Sequence, residues 1–200
     1  MVNNRIWMAV CAVLAVAIGG TVAGCNKSGG GGTASSSASS SSSTSAPTST
    51  PAGKAEKSPD GKFTVVLPES LEVMPTDATD KEPGIFAVGK ADDAMFIAGV
   101  ITGDDRGNTP RESLEKGGKG FADEWKGTFD PANIKPATLD GEPAWQSSLS
   151  FPGTAERPGD RSGQILCVQR GDTQYGLFYA TASPSFEADF EAIKSSWKWT

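Results

Sequence analysis

The sequence predicts an α+β domain, an antiparallel β-sheet flanked by helices, behind an amino-terminal export and tether region. Three observations carry that prediction. Short β-branched or alternating apolar runs recur between turn residues. Two segments switch instead to helical spacing and open on capping residues. Residues 26–57 contain no aromatic and no large aliphatic side chain, so the chain divides into a part that can bury a core and a part that cannot.

The first residues, MVNNRI, carry Arg5, and WMAVCAVLAVAI follows without a charge. That is the n-region and h-region of a secretory leader. The next residues end in Val22-Ala23-Gly24-Cys25, which resembles the bacterial lipobox. The resemblance implies removal of residues 1–24, lipid on the Cys25 thiol and acylation of the new amino terminus. An uncleaved span from Trp7 to Gly24 is the competing reading, at the lower length limit for crossing a bilayer. Gly19, Gly20 and Gly24 weaken it as a helix, and no basic cluster follows to stop transfer. Two or three acyl chains hold a protein stably where one does so marginally, which suits a permanent anchor. Either way the domain lies outside the cytoplasm. The membrane is the expected partner of Cys25, and the location is the periplasmic side or outer membrane of a two-membrane cell, or the surface of a one-membrane cell. Asn26 rather than Asp follows the cysteine. In a cell resembling enteric bacteria, that points away from inner-membrane retention.

Residues 25–57 read as the lipidated cysteine and a disordered Ser/Gly/Pro-rich tether. As a flexible coil of about 32 residues it spans roughly 30 Å root-mean-square. Residues 58–200 read as one globular domain, long enough to bury its own core. Its first predicted strand is KFTVVLP (62–68), closed by Pro68. GIFAVGK (84–90) and AMFIAGVI (94–101) form a predicted hairpin around Ala91-Asp92-Asp93.

The period then changes to that of a helix. Thr109 is the expected N-cap, Pro110 the first helical residue and Glu112 the partner in a T-x-x-E capping box, with the helix ending at Gly127. Leu114, Phe121 and Trp125 share one face. Gly117, Gly118 and Gly120 each weaken the helix by about 1 kcal/mol relative to alanine, which points to close packing or fraying.

In PAWQSSLSF, Trp145, Leu149 and Phe151 alternate with Gln146, Ser148 and Ser150, predicting one buried and one wet face. GQILCVQR and QYGLFYATA flank Gly171-Asp172-Thr173, a hairpin turn. Arg170-Gly171-Asp172 is the tripeptide of integrin ligands, but Gly-Asp is turn chemistry and is read as such. The last helix carries Phe186, Phe190, Ile193 and Trp197 on one stripe, after Ser183 or Ser185 as cap and Pro184.

Composition excludes several chemistries. There is no histidine in 200 residues, which removes Ser-His and Cys-His catalysis and every His-ligated metal site within this chain. Of three cysteines, Cys11 goes with the leader and Cys25 is used by lipid. Cys167 is then alone, and its apolar strand marks it as a small buried residue rather than a nucleophile. The formal charge of −6 has no basic stripe, a poor match to nucleic acid. Asp92-Asp93 and Asp104-Asp105 are adjacent pairs, which on strands point apart and on loops are solvated, so neither makes an acid–base dyad. The loop GDDRGN lacks the alternating spacing of a calcium loop. No catalytic, cofactor or metal residue is assigned.

The order of the KFTVVLP strand, a hairpin, a mid-chain helix, the meander EPAWQSSLSF to GQILCVQRGDTQYGLFYATA and the final FEADFEAIKSSWKW helix resembles the PsbP-type fold, which implies an α/β/α sandwich. Tyr175 to Tyr179 on a hydrophobic strand, followed by a phenylalanine-rich helix ending at Ser196-Trp197, is the most telling part. That group includes photosystem accessory proteins and bacterial lipoproteins of the DcrB and LpqN kinds. The resemblance implies a non-catalytic accessory or protein-interaction domain in the cell envelope, with another envelope protein as partner. The rival expectation is a carrier for a small ligand or lipid, which requires an enclosed apolar cavity between helix and sheet.

Overall fold

The computed structural model describes residues 53–73, 84–89, 94–101, 107–155 and 158–200. The leader, Cys25, most of the tether and the pairs Asp92-Asp93 and Asp104-Asp105 lie outside the described residues.

Strand β10 (Thr173–Thr181) is buried at every position after the first, so it requires cover on both faces and both edges. Its edges are taken by β5 (Ala94–Ile101) and β9 (Arg161–Arg170), both antiparallel. Outward from β5 come β4 (Gly84–Gly89) and the short β3 (Leu71–Val73). Outward from β9 comes β8 (Glu142–Phe151). The far edge of β8 is shared: β6 (Thr128–Phe129) pairs with Leu149 and Ser150, and β7 (Lys135–Leu139) with residues 142–146. Together these make an eight-stranded sheet in which every described pairing is antiparallel. A second sheet of three strands contains β1 (Gly53–Lys57), β2 (Phe63–Pro68) and β11 (Lys198–Trp199), with β2 in the middle.

Each face of the large sheet has its own core. Helix α1 (Pro110–Glu124) lays Leu114 and Phe121 on Phe151, Ile165, Cys167 and Phe178, with the Phe121 and Phe178 rings stacked at 4.2 Å. On the other face, helix α2 (Phe186–Ser196) and the small sheet bury Phe63, Val65, Leu67, Phe186, Phe190, Ile193 and Trp197 against Leu166, Val168, Leu177 and Tyr179. Phe63 stacks on Trp197 at 3.9 Å. The alternation of β10 sorts these contacts: Tyr175, Leu177 and Tyr179 face α2, while Phe178 and Ala180 face α1. The α+β sandwich expected from the sequence is therefore present, with a small second sheet sharing one face with its helix.

The capping box of α1 forms as expected: the Glu112 N–H donates to Thr109 Oγ1 and the Thr109 N–H to the Glu112 carboxylate at 2.7 Å. The helix proper stops at Glu124, three residues before the expected end. Lys126 takes φ 53° and the Gly127 N–H donates to the Ala122 carbonyl at 2.8 Å, a Schellman-type closure. Gly118 answers the question raised by the glycines of this helix, because a Cβ there would lie 2.4 Å from the Phe129 ring. Close packing, not fraying, accounts for it.

Three expectations change. Residues 53–57, counted with the tether, form β1 and pair with residues 64–68 of β2, so the ordered domain begins before Ser58. An exposed edge strand is held through its backbone and leaves no apolar signature in its side chains. KFTVVLP is consequently the second strand. Gln146, expected on a wet face, is buried and donates to Gln164 Oε1 at 3.1 Å, while Ser148 and Ser150 are exposed as expected.

Candidate functional site

Cys25, the only site residue assigned from sequence, lies outside the described residues. Cys167 lies within them, buried in the α1-side core with its Sγ 4.0 Å from Gln174 Oε1. Gln174 itself accepts from Ser113 Oγ at 2.7 Å and donates to the Asn108 carbonyl. This buried polar link ties the start of α1 to β10. Sequence reading missed it because a lone Gln within an apolar run gives no sign of its partners. Among the described residues no group of three or more His, Cys, Asp or Glu side chains converges as a metal site.

The Arg170-Gly171-Asp172 turn is a two-residue hairpin loop, with Arg170 opposite Thr173 and Gly171 at φ 59°. The Arg170 guanidinium lies 4.9 Å from the Trp199 ring centre. Trp199 meets Trp197 at 5.3 Å and Tyr175 at 4.9 Å, so the arginine is laid over an aromatic cluster. Burial raises the Tyr175 phenol above its ordinary pKa, with the Asp60 charge adding and Arg170 opposing. That phenol stays protonated and serves as packing.

The β7–β8 turn, Asp140-Gly141, has φ 45° and 85°, the pattern of a type I′ turn. The Asp-Gly pair is the sequence signature of that turn. The Asp140 carboxylate accepts from Lys198 Nζ at 2.6 Å and from the Trp199 N–H at 2.9 Å, and these bonds, Lys198 first, hold its pKa below the ordinary value. Asp140 thus fastens β11 to the large sheet's turn. Its role is structural.

Two exposed surfaces remain. One is a depression of about 300 Å³ along α1, lined by Asn108, Glu112, Glu115, Lys116 and Lys119. Its charges balance, and Glu112 is committed to Thr109, whose hydrogen bonds lower its pKa. The other is the outer part of the large sheet on the α2 side, bearing Thr128, Ser148, Ser150, Ser162 and Gln164. Gln164 Nε2 donates to Ser148 Oγ at 3.1 Å, and Thr128 and Ser150 hydroxyls lie 2.6 Å apart. This face is polar, and Lys135, opposite Gln146 on β7, is a charged side chain beside it. Neither surface brings a nucleophile together with a base; both carry exposed hydrogen-bonding side chains.

No protein-family model matches the sequence, and no curated protein matches it. Solved structures do. A Bacteroides thetaiotaomicron VPI-5482 protein, solved at 1.50 Å, superposes with a TM-score of 0.52 at 10% identity over 74% of this chain. The chain spans about half of that protein, 48% of its length. The cyanobacterial PsbP (CyanoP) of Synechocystis sp. PCC 6803, a solution structure, gives a TM-score of 0.52 at 11% identity, covering 74% of this chain and 92% of CyanoP. LpqN of Mycobacterium tuberculosis, described as involved in cell envelope biogenesis, gives 0.44 at 18% identity over 74% and 90%. At such identities likeness speaks for architecture alone, and the architecture is that of CyanoP: the described domain has a PsbP-type α+β fold.

Proposed function

We propose that this chain is a lipid-anchored extracytoplasmic accessory protein, held to a bacterial membrane through Cys25 and meeting another envelope protein with the surface of its PsbP-type domain. In this reading it performs no catalysis. The observation that carries it is how the domain uses its interior. Both faces of the central sheet are filled by rings and aliphatic side chains in contact, down to 3.9 Å for Phe63 on Trp197 and 4.2 Å for Phe121 on Phe178. What the domain offers a second molecule is its outside. The carrier alternative needs room between α1 and the sheet, where Phe121, Trp125, Phe151 and Phe178 pack edge and face.

The test is photo-crosslinking in cells from the full-length chain, with the reactive residue at Ser148 or at Lys119. One of these positions is expected to give a discrete adduct with an envelope protein, absent from a control at exposed Glu187. Recovery of no protein adduct from either position overturns the reading.

A further inference from the structure

The two edges of the small sheet are finished differently. On the β11 side, β2 is paired with Lys198 and Trp199, and beyond them Ser196 of α2 plugs the ladder: its Oγ accepts from the Val66 N–H at 2.9 Å and lies 3.3 Å from the Val66 carbonyl. On the opposite side, among the described residues, β1 pairs with β2 alone. The ladder's alternation fixes which β1 groups face outward. Val66 directs its N–H to Ser196, whereas Phe63 exchanges hydrogen bonds with Ser58, on the β1 side. Val65 and Leu67 therefore bond to Glu56 and Lys54, leaving Gly53, Ala55 and Lys57 with N–H and C=O directed away from β2. All three of those residues are exposed.

We propose that this edge pairs with the same edge of a second copy, joining two small sheets into one through an antiparallel β1–β1 contact about a two-fold axis at Ala55. The strand GKAEK is complementary to itself in that register. Ala55 meets Ala55 and Gly53 meets Lys57 as hydrogen-bonded pairs, and Lys54 meets Glu56 in the closer, non-hydrogen-bonded pairs. Lysine on an edge ordinarily repels a second strand. Here each Lys54 faces a carboxylate of the copy, at both ends of the axis. Within one chain Lys54 Nζ already reaches Glu56 Oε1 at 2.6 Å, so the pairing exchanges one partner for an equivalent one. Ala55 and Gly53 place no bulk at the contact. An isologous arrangement of this kind closes at two copies and leaves no further β1 edge exposed.

The experiment uses the full chain in its native membrane. In Ala55→Cys the two introduced thiols come within the Cα range of a disulfide, about 5.5 Å. In Lys57→Cys, on the same exposed strand, they are about 14 Å apart. Mild oxidation is expected to give a covalent dimer of A55C in about tenfold higher yield than of K57C. Adding Lys54→Glu to A55C sets like charges opposite each other and lowers the yield about tenfold; adding Glu56→Lys as well restores it. Equal yields from A55C and K57C overturn the proposal. So does a charge-exchanged variant no better than the single reversal, or an A55C adduct formed only with a different protein.

Discussion

At the scale of single residues, one tight constraint sits at a glycine whose backbone is ordinary. A Cβ on Gly127 would lie 2.4 Å from Phe151 Cδ1 and 2.6 Å from the Ser150 carbonyl oxygen. Phe151 is buried and the carbonyl belongs to the ladder, so neither can give way cheaply. Gly127→Ala is expected to lower unfolding free energy by about 1 to 3 kcal/mol in a denaturant titration. Gly118→Ala makes the useful contrast, since the nearest atoms there belong to a half-buried Phe129 ring on a two-residue strand. Its helix-propensity gain offsets part of any clash. Sequence alone marks Gly118 as a weak point within the helix and Gly127 as its end; it does not say which neighbour stands in the way, because Phe129 and Phe151 reach them through tertiary packing.

Among elements, the long and strongly patterned ones were readable and the edges were not. The stripe Phe186, Phe190, Ile193 and Trp197 announced α2, and all four side chains are buried. Thr109, Pro110 and Glu112 announced α1 through local chemistry that needs no tertiary partner. By contrast β1, β6 and β7 are short or exposed strands whose membership is decided by a neighbour's backbone, and GKAEK and KPATL carry no alternating apolar signal. Gln146 was assigned to the wrong environment for a related reason: alternation tells which side chains share a face, not how far the cover extends across it. The Asp140-Gly141 turn yields a prediction at this scale. The Asp140 pKa is depressed in the fold, so its contribution is present above the ordinary value near 3.8 and is lost as pH falls through the folded value. Asp140→Asn keeps the turn chemistry. It is expected to lose up to about 1 kcal/mol at pH 7, a partly exposed pair being worth no more, and to match the parent in acid once the carboxylate is protonated. Thermal melts of both proteins across that range check it.

For the whole molecule, the sequence carried its clearest message about place and its faintest about partner. The lipobox-like VAGC needs only its immediate neighbours to be recognised, whereas the polar face of the large sheet is assembled from β6, β8 and β9, separate segments of the chain. Cys25→Ser is expected to abolish lipid labelling and to move the protein from the membrane to the soluble fraction. A Cys25→Ser protein retained at the parent level would mean that residues 7–24 act as a spanning anchor.

The small sheet adds a consequence for how the domain is presented. Strand β1 begins at Gly53, in a sheet that packs on the α2 side of the central layer, and α1 covers the opposite side. Gly53 and the α1 depression thus lie on opposite sides of the eight-stranded sheet, so a second strand added at β1 and a molecule resting on α1 do not compete for the same surface.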